Sequence, residues 1–237
     1  MSNSFFRFKQ FTVFHDQCAM KVGTDGVLLG AWTDINNTES LLDVGTGSGL
    51  IALMLAQKNN LSKIHAIDID KDAIKQAKEN IFNSPYSSRI TCEQISLEEY
   101  VKESESKFDL IVSNPPFFDN SLKSPNRQRT LARHTDSLPV NDLICQSSLL
   151  LSDNGRLSII YPYEYKKDIT LLAKKNNLHI SRITNVYPTP KSEPKRILIE
   201  LSRKESDVKE ENIIIEKERH IYSDEFSALA KDFYLKL

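Results

Sequence analysis

Seven glycines are all that this 237-residue chain contains; six of them fall between Gly23 and Gly49, and the seventh is Gly155. A chain that otherwise avoids glycine and then concentrates it requires, in that stretch, backbone that turns sharply or that another molecule approaches closely. The densest part is Asp43-Val44-Gly45-Thr46-Gly47-Ser48-Gly49. A short apolar run, Leu41 to Val44, precedes it, and Leu50 to Gln57 follows with the composition of a buried helix. Strand, glycine turn and helix are the unit of open parallel sheets, which bind ligands at the carboxyl ends of their strands.

The same alternation continues downstream. Lys63 to Ile67 reads as a second strand. Asp70 can cap the next helix, whose Ala73, Ile74, Ala77 and Ile81 recur at helical spacing opposite Lys75, Gln76, Lys78 and Glu79. Arg89 to Glu93, Phe108 to Ser113 and Arg156 to Tyr161 read as further strands, the last entered through an Asp153-Asn154-Gly155 turn. Helical segments at Val140 to Leu151 and Glu164 to Lys175 fill the gaps. Beyond Asn176, Ile180 to Val186 and Ile197, Ile199, Leu201 alternate with polar neighbours, as in an antiparallel pair at a sheet edge. Glu205 to Glu211 reads as a charged solvated loop, and Ser223 caps a last helix whose buried stripe is Phe226, Leu229, Ala230 and Phe233. The expected fold is α/β: a doubly wound, mostly parallel sheet with an antiparallel C-terminal edge. With no repeat or linker, one domain over 1–237 is the simplest organisation.

Composition excludes several classes of protein. At 40% hydrophobic and 27% charged residues the chain is neither collagen-like nor wholly disordered. Thirty-one Lys and Arg against 32 Asp and Glu rule out a uniformly polybasic coat, though not a local basic surface. Cys18, Cys92 and Cys145 are odd in number, widely separated and without C-x-x-C spacing, which points to a reducing, cytoplasmic setting and to no metal. The first ten residues have no continuous apolar core, so no signal peptide is expected, and no run reaches membrane-spanning length.

Two segments carry chemistry. The acid Asp68 closes the second strand, where a carboxylate can accept hydrogen bonds from both hydroxyls of a ribose held over the glycine turn. A nicotinamide dinucleotide uses a similar layout, but its G-x-G-x-x-G pattern needs glycine at position 50, which is Leu50. The second segment is Phe108 to Ser113 running into Asn114-Pro115-Pro116-Phe117. Proline ends the strand because it cannot donate to the ladder. The same residues supply what a planar exocyclic amine needs: acceptors on the Asn114 side chain and the Pro115 carbonyl, and a stacking ring at Phe117.

The acid-preceded G-x-G-x-G resembles the first motif of class I S-adenosylmethionine-dependent methyltransferases. That resemblance implies a Rossmann-like, seven-stranded sheet, with Asp43, Gly45 and Gly47 at the methionine end of the cofactor and Asp68 on its ribose. Asn-Pro-Pro-aromatic resembles the fourth motif of amino-group methyltransferases acting on adenine N6, guanine N2 or glutamine amide. The block from His15 to Trp32, together with Asn83-Ser84-Pro85 and the closing Tyr222 to Tyr234, is similar to bacterial enzymes that methylate N6 of adenosine 37 in valine tRNA. By that resemblance residues 1–35 cover the cofactor site, with Lys21 to Gly26 as a lid, and 36–237 form the catalytic core. Asn114, Pro115 and Phe117 are then catalytic, and Lys21, Asp43, Gly45, Gly47, Asp68 and Asn114 hold the cofactor. Where the family usually has an acid after the third strand, the aligned residue is Ser96, with Glu98 the nearest substitute.

RNA needs a positive landing surface. Asn120 to Thr135 contains Lys123, Arg127, Arg129 and Arg133 with no Asp or Glu, directly after the amino-group motif. That surface points to RNA as the partner, and the resemblance implies that the RNA is tRNA. Guanine-N2 methylation of ribosomal RNA, glutamine methylation of a protein, and a non-catalytic RNA-binding role are the alternatives, with NAD-dependent oxidoreduction more remote.

Overall fold

The computed structural model describes residues 3–116 and 138–237. Its centre is an eight-stranded sheet built from β3 (Ser40–Val44), β4 (Lys63–Asp68), β5 (Ile90–Gln94), β6 (Phe108–Ser113), β7 (Leu151–Pro162), β8 (His179–Tyr187), β9 (Arg196–Ser202) and β10 (Lys209–Ile214). Across the sheet the order is β10-β8-β9-β7-β6-β3-β4-β5. Only β9 runs against its neighbours, antiparallel to both β7 and β8, while every other pairing is parallel.

Helices cover both faces. α1 (Thr24–Trp32), α2 (Leu50–Lys58), α3 (Lys71–Phe82) and the C-terminal α7 (Asp224–Ala230) contribute to one core. α4 (Leu97–Glu103), α5 (Val140–Leu150) and α6 (Lys166–Lys175) contribute to the other. Strand residues alternate between the two: Leu41, Leu110 and Leu198 enter the first core, Leu42, Ile111 and Ile199 the second. α2 is buried at every position from Leu50 to Ala56, so its apolar circumference matches its place between layers. α3 starts where the sequence puts it, with Asp70 Oδ1 accepting from the Asp72 and Ala73 amides at 2.8 and 3.3 Å. Ser223 likewise caps α7, accepting from Phe226 N at 3.0 Å.

Three expectations change. The antiparallel end exists, but an eighth strand, β10, extends the sheet beyond the seven expected and forms its edge, parallel to β8. Lys209 to Glu211 therefore belong to a strand rather than to a solvated loop; Glu211 pairs with Arg182 at 2.9 Å and Glu210 with Lys166 at 2.6 Å. Charged residues suit an edge strand, which must discourage further pairing. Finally, Asp153 to Gly155 lie inside β7 as an irregularity: Leu151 faces Phe108, yet Arg156 faces Leu110. A Cβ on Gly155 would stand 2.7 Å from the Phe108 carbonyl oxygen, so backbone contact excludes any side chain there.

Two small hairpins complete the described chain, β1 (Phe5–Arg7) with β2 (Thr12–Phe14) and β11 (Glu216–Glu218) with β12 (Ile221–Tyr222). No helix among the described residues is long and apolar enough to cross a membrane.

Candidate active site

β3 and β6 are neighbours in register, Asp43 opposite Val112 and Val44 opposite Ser113. Adjacent strands lie about 4.8 Å apart, so Gly45 and Asn114, the next residues of each, leave the sheet side by side. Ser113 Oγ donates to the Val44 carbonyl at 2.8 Å and fastens the two ends across 69 positions of sequence. The glycine turn and the Asn-Pro-Pro segment thus meet at one point.

Gly45, Gly47 and Gly49 have φ of 69°, 56° and 81°, a region that side chains disfavour. A Cβ on Gly45 or Gly47 meets no atom of the described residues within 4 Å, which leaves room over the turn. Its amides are engaged internally: Gly45 and Thr46 donate to the Ile67 carbonyl at 2.9 and 3.0 Å, Gly49 to Thr46 O at 2.9 Å, and Gly47 to Asp68 Oδ2 at 2.8 Å. A pyrophosphate cradle needs such donors pointing outward. This turn suits a ligand without phosphates.

The two acids differ. Asp43 is completely buried, and its Oδ2 accepts from Thr46 Oγ1 at 2.7 Å and from the Ala52 amide at 3.2 Å. Its Oδ1 is buried with no hydrogen-bond partner among the described residues. Burial pushes this carboxyl from the ordinary 3.8 to about 7, against the opposing effect of the two hydrogen bonds. Asp68 sits half-buried at the end of β4, accepting from Gly47 N and, through Oδ1, from Asp70 N at 3.0 Å. Burial raises its pKa too. Each Asp68 oxygen keeps a lone pair for a ligand hydroxyl. An unpartnered buried carboxyl oxygen beside an open turn, with a second carboxyl one strand away, fits a ligand that carries both a cationic group and a ribose, as S-adenosylmethionine does.

Asn114 is half-buried, and its Oδ1 also lacks a partner among the described residues. Pro115 is buried beside it. A Cβ on Gly26 would lie 2.9 Å from Leu50 Cδ2 and 3.8 Å from Asn114 Nδ2. The first turn of α1 is therefore pressed against the helix that follows the glycine turn and against Asn114 at once. Sequence reasoning put residues 21–26 in a lid; Thr24 to Gly26 instead begin α1, which Asp25 anchors to Arg196 at 2.9 Å. The resemblance places Gly26 only in that lid, and its contact with Leu50 and Asn114 is what the structure adds.

The remaining residues divide as follows. Lys21 is exposed, next to Val22, whose amide donates to His15 Nδ1 at 3.3 Å. His15 is buried and contacts the Asn3 carbonyl, a structural role. Ser96 caps α4: its Oγ accepts from Glu99 N at 3.1 Å, while the Glu99 side chain returns to Ser96 N. Glu98 pairs with Lys102 at 2.6 Å. Phe117, Lys123, Arg127, Arg129 and Arg133 lie outside the described residues. Among the described residues no group of His, Cys, Asp and Glu could hold a metal ion.

Residues 18–187 match the methyltransferase small domain family. The tRNA1(Val) (adenine(37)-N6)-methyltransferase of Parabacteroides distasonis is 52% identical over 238 residues, covering 100% of both chains. That of Flavobacterium psychrophilum is 49% identical, covering 98% of this chain and 100% of its own. Among solved structures, a predicted O-methyltransferase from Agrobacterium tumefaciens shares the fold, with TM-score 0.67 at 18% identity over 88% of this chain and 96% of that one.

Proposed function

Because the chain belongs to the tRNA1(Val) (adenine(37)-N6)-methyltransferase family, we propose that it transfers a methyl group from S-adenosylmethionine to N6 of adenosine 37 in valine tRNA. The observation that carries this reading is the junction itself: Asn114, with an unpartnered buried oxygen, emerges beside the open glycine turn.

When bound, S-adenosylmethionine supplies an electrophilic methyl group on a sulfonium. Gly45 and Gly47 would give it room, Asp43 would face its methionine end, and Asp68 would accept from its ribose hydroxyls. Lys21 would close over that methionine end. The adenine amino nitrogen is a poor nucleophile because its lone pair is delocalised into the ring. Asn114 Oδ1 and the Pro115 carbonyl accept its two N–H bonds, pull it toward a tetrahedral shape and aim the lone pair, while Phe117 stacks on the base. Positioning and electrostatics do this work, so no strong base is required. The base must leave its stack to reach such a site.

Lys123, Arg127, Arg129 and Arg133 contact phosphate in this reading, which their place directly after the amino-group motif supports. The whole chain, 1–237, acts as one catalytic domain in the cytoplasm, with 1–35 covering the cofactor. One core that draws on residues from Phe8 to Phe233 supports that unity.

Labelled S-adenosylmethionine is incubated with tRNA, ribosomal RNA and protein fractions, and the product nucleosides are analysed by mass spectrometry. N6-methyladenosine in tRNA is expected; label confined to protein or to guanine would overturn the reading. Asn114→Ala should abolish turnover while RNA affinity stays nearly unchanged, and surviving turnover would remove Asn114 from its role.

A further inference from the structure

One exposed face has no part in the chemistry above. In the N-terminal hairpin Phe5 lies opposite Phe14 and Arg7 opposite Thr12. Alternation turns Phe6 and Val13 inward: Val13 is fully buried, and the Phe6 ring packs on Phe8 and Tyr234 at 4.7 and 5.5 Å. The outer face carries Phe5 and Phe14, 39% and 42% exposed with ring centroids 5.6 Å apart, and the exposed Arg7. The inner face already holds the hairpin to the core, so the outer rings contribute to folding only through their own cross-strand contact.

The hairpin is continuous with the active site. Asn80, itself 1% exposed, accepts from Phe14 N at 2.9 Å and donates to the carbonyls of both Phe14 and Ser48 at 2.8 Å. One side-chain amide therefore joins the end of β2 to the glycine turn. From Phe14 the chain runs on to Gly26, beside Asn114.

We infer that Phe5 and Phe14 form a stacking platform for unpaired bases next to the adenosine that enters the site, with Arg7 on an adjoining phosphate. The inference rests on the tRNA reading and deepens it. Flipping one base exposes the faces of its neighbours. Two aromatic rings beside a cation match that chemistry, since every base offers a π-face and every linkage a negative charge.

The test uses the full chain and a fluorescent anticodon stem-loop of valine tRNA. Phe5→Leu with Phe14→Leu keeps apolar bulk and removes the rings from an exposed face; stem-loop binding should weaken about 5- to 150-fold. S-adenosylhomocysteine affinity should not change, and Phe5→Trp with Phe14→Trp should bind like wild type. Arg7→Ala should lower the slope of log K against log salt by about 0.7 to 0.9. Unchanged stem-loop affinity in the double leucine variant overturns the platform, as does a parallel loss of S-adenosylhomocysteine affinity. Unchanged affinity with loss of self-association in sedimentation would assign the face to a second copy instead. Wild-type methylation of the same stem-loop is measured alongside: its absence overturns the proposed reaction, whereas a methylating wild type with an unaffected leucine variant overturns the platform alone.

Discussion

Replacing Asp43 by asparagine separates the cost of a buried charge from its use. The carboxyl is completely buried and pushed up to about 7 from 3.8, so the fold binds its proton more tightly than the unfolded chain does. Stability from this group is fully present below the unfolded value and is lost as pH rises through the folded one. Between pH 5 and pH 7 the loss is about 1.4 kcal/mol per pH unit, about 3 kcal/mol in all. Asparagine can accept from Thr46 and Ala52 as the carboxyl does, and its Nδ2 replaces the protonated Oδ1, which is equally short of a partner among the described residues. The loss begins at the unfolded value of 3.8, so at pH 5 the variant should already be the more stable by about 1.6 kcal/mol. By pH 8 that gap should reach about 4 kcal/mol, or about 8 to 16 °C for a chain of this size. S-adenosylhomocysteine, which keeps the ammonium group, should bind the variant more weakly at pH 8, where the wild-type carboxyl is ionised, and the difference should shrink toward pH 5. Differential scanning calorimetry of the ligand-free proteins at pH 5, 6, 7 and 8 reads the gap. A gap that stays constant over that range would refute the reasoning.

Three further substitutions address the frame of the site. Gly47→Ala places a methyl group at φ 56° in otherwise open space; unfolding should cost about 1 to 2 kcal/mol less, while calorimetry should show S-adenosylhomocysteine affinity falling more than stability alone explains. Gly30→Ala puts a Cβ 2.7 Å from Met54 Sδ and 3.1 Å from Met54 Cβ, inside the packed contact of α1 with α2; a net loss of about 1 kcal/mol in urea unfolding is expected after the helix-propensity gain of alanine. The Lys58 stem is exposed, but its Nζ donates to the Ala31 carbonyl at 2.7 Å and to that of Thr33, closing the C-terminal end of α1; Lys58→Met should lower stability by about 1 to 3 kcal/mol in the same assay.

What the sequence made legible is concentrated where few residue types can serve. Positive φ at Gly45 and Gly47, the capping carboxylate of Asp70 and the strand end at Pro115 each follow from local stereochemistry. The junction of Val44 with Ser113 was not legible locally, because β6 follows β4 and β5 in the chain and crosses back to pair with the far side of β3. Other features depended on partners far away in the chain. β10 was hidden because Lys209 to Glu211 look solvated until Lys166 and Arg182 are placed beside them. α4 is one short helix with only Leu97 and Tyr100 buried, too little for a periodic signal. The N-terminal hairpin has three-residue strands and is held by Phe8, Phe11, Tyr86 and Tyr234, an aromatic contact set no local window contains. Lys123 to Arg133 and Phe117 lie outside the described residues and stand on sequence alone.

A turn whose amides are answered by Ile67, Thr46 and Asp68 is held in shape by its own chain. Capture of the methyl donor then immobilises little main chain, and its entropic penalty falls on the small molecule and on side chains at the rim. Donor and spent product should therefore exchange quickly over a rigid floor, leaving the accommodation of a large polynucleotide as the slower event in each cycle.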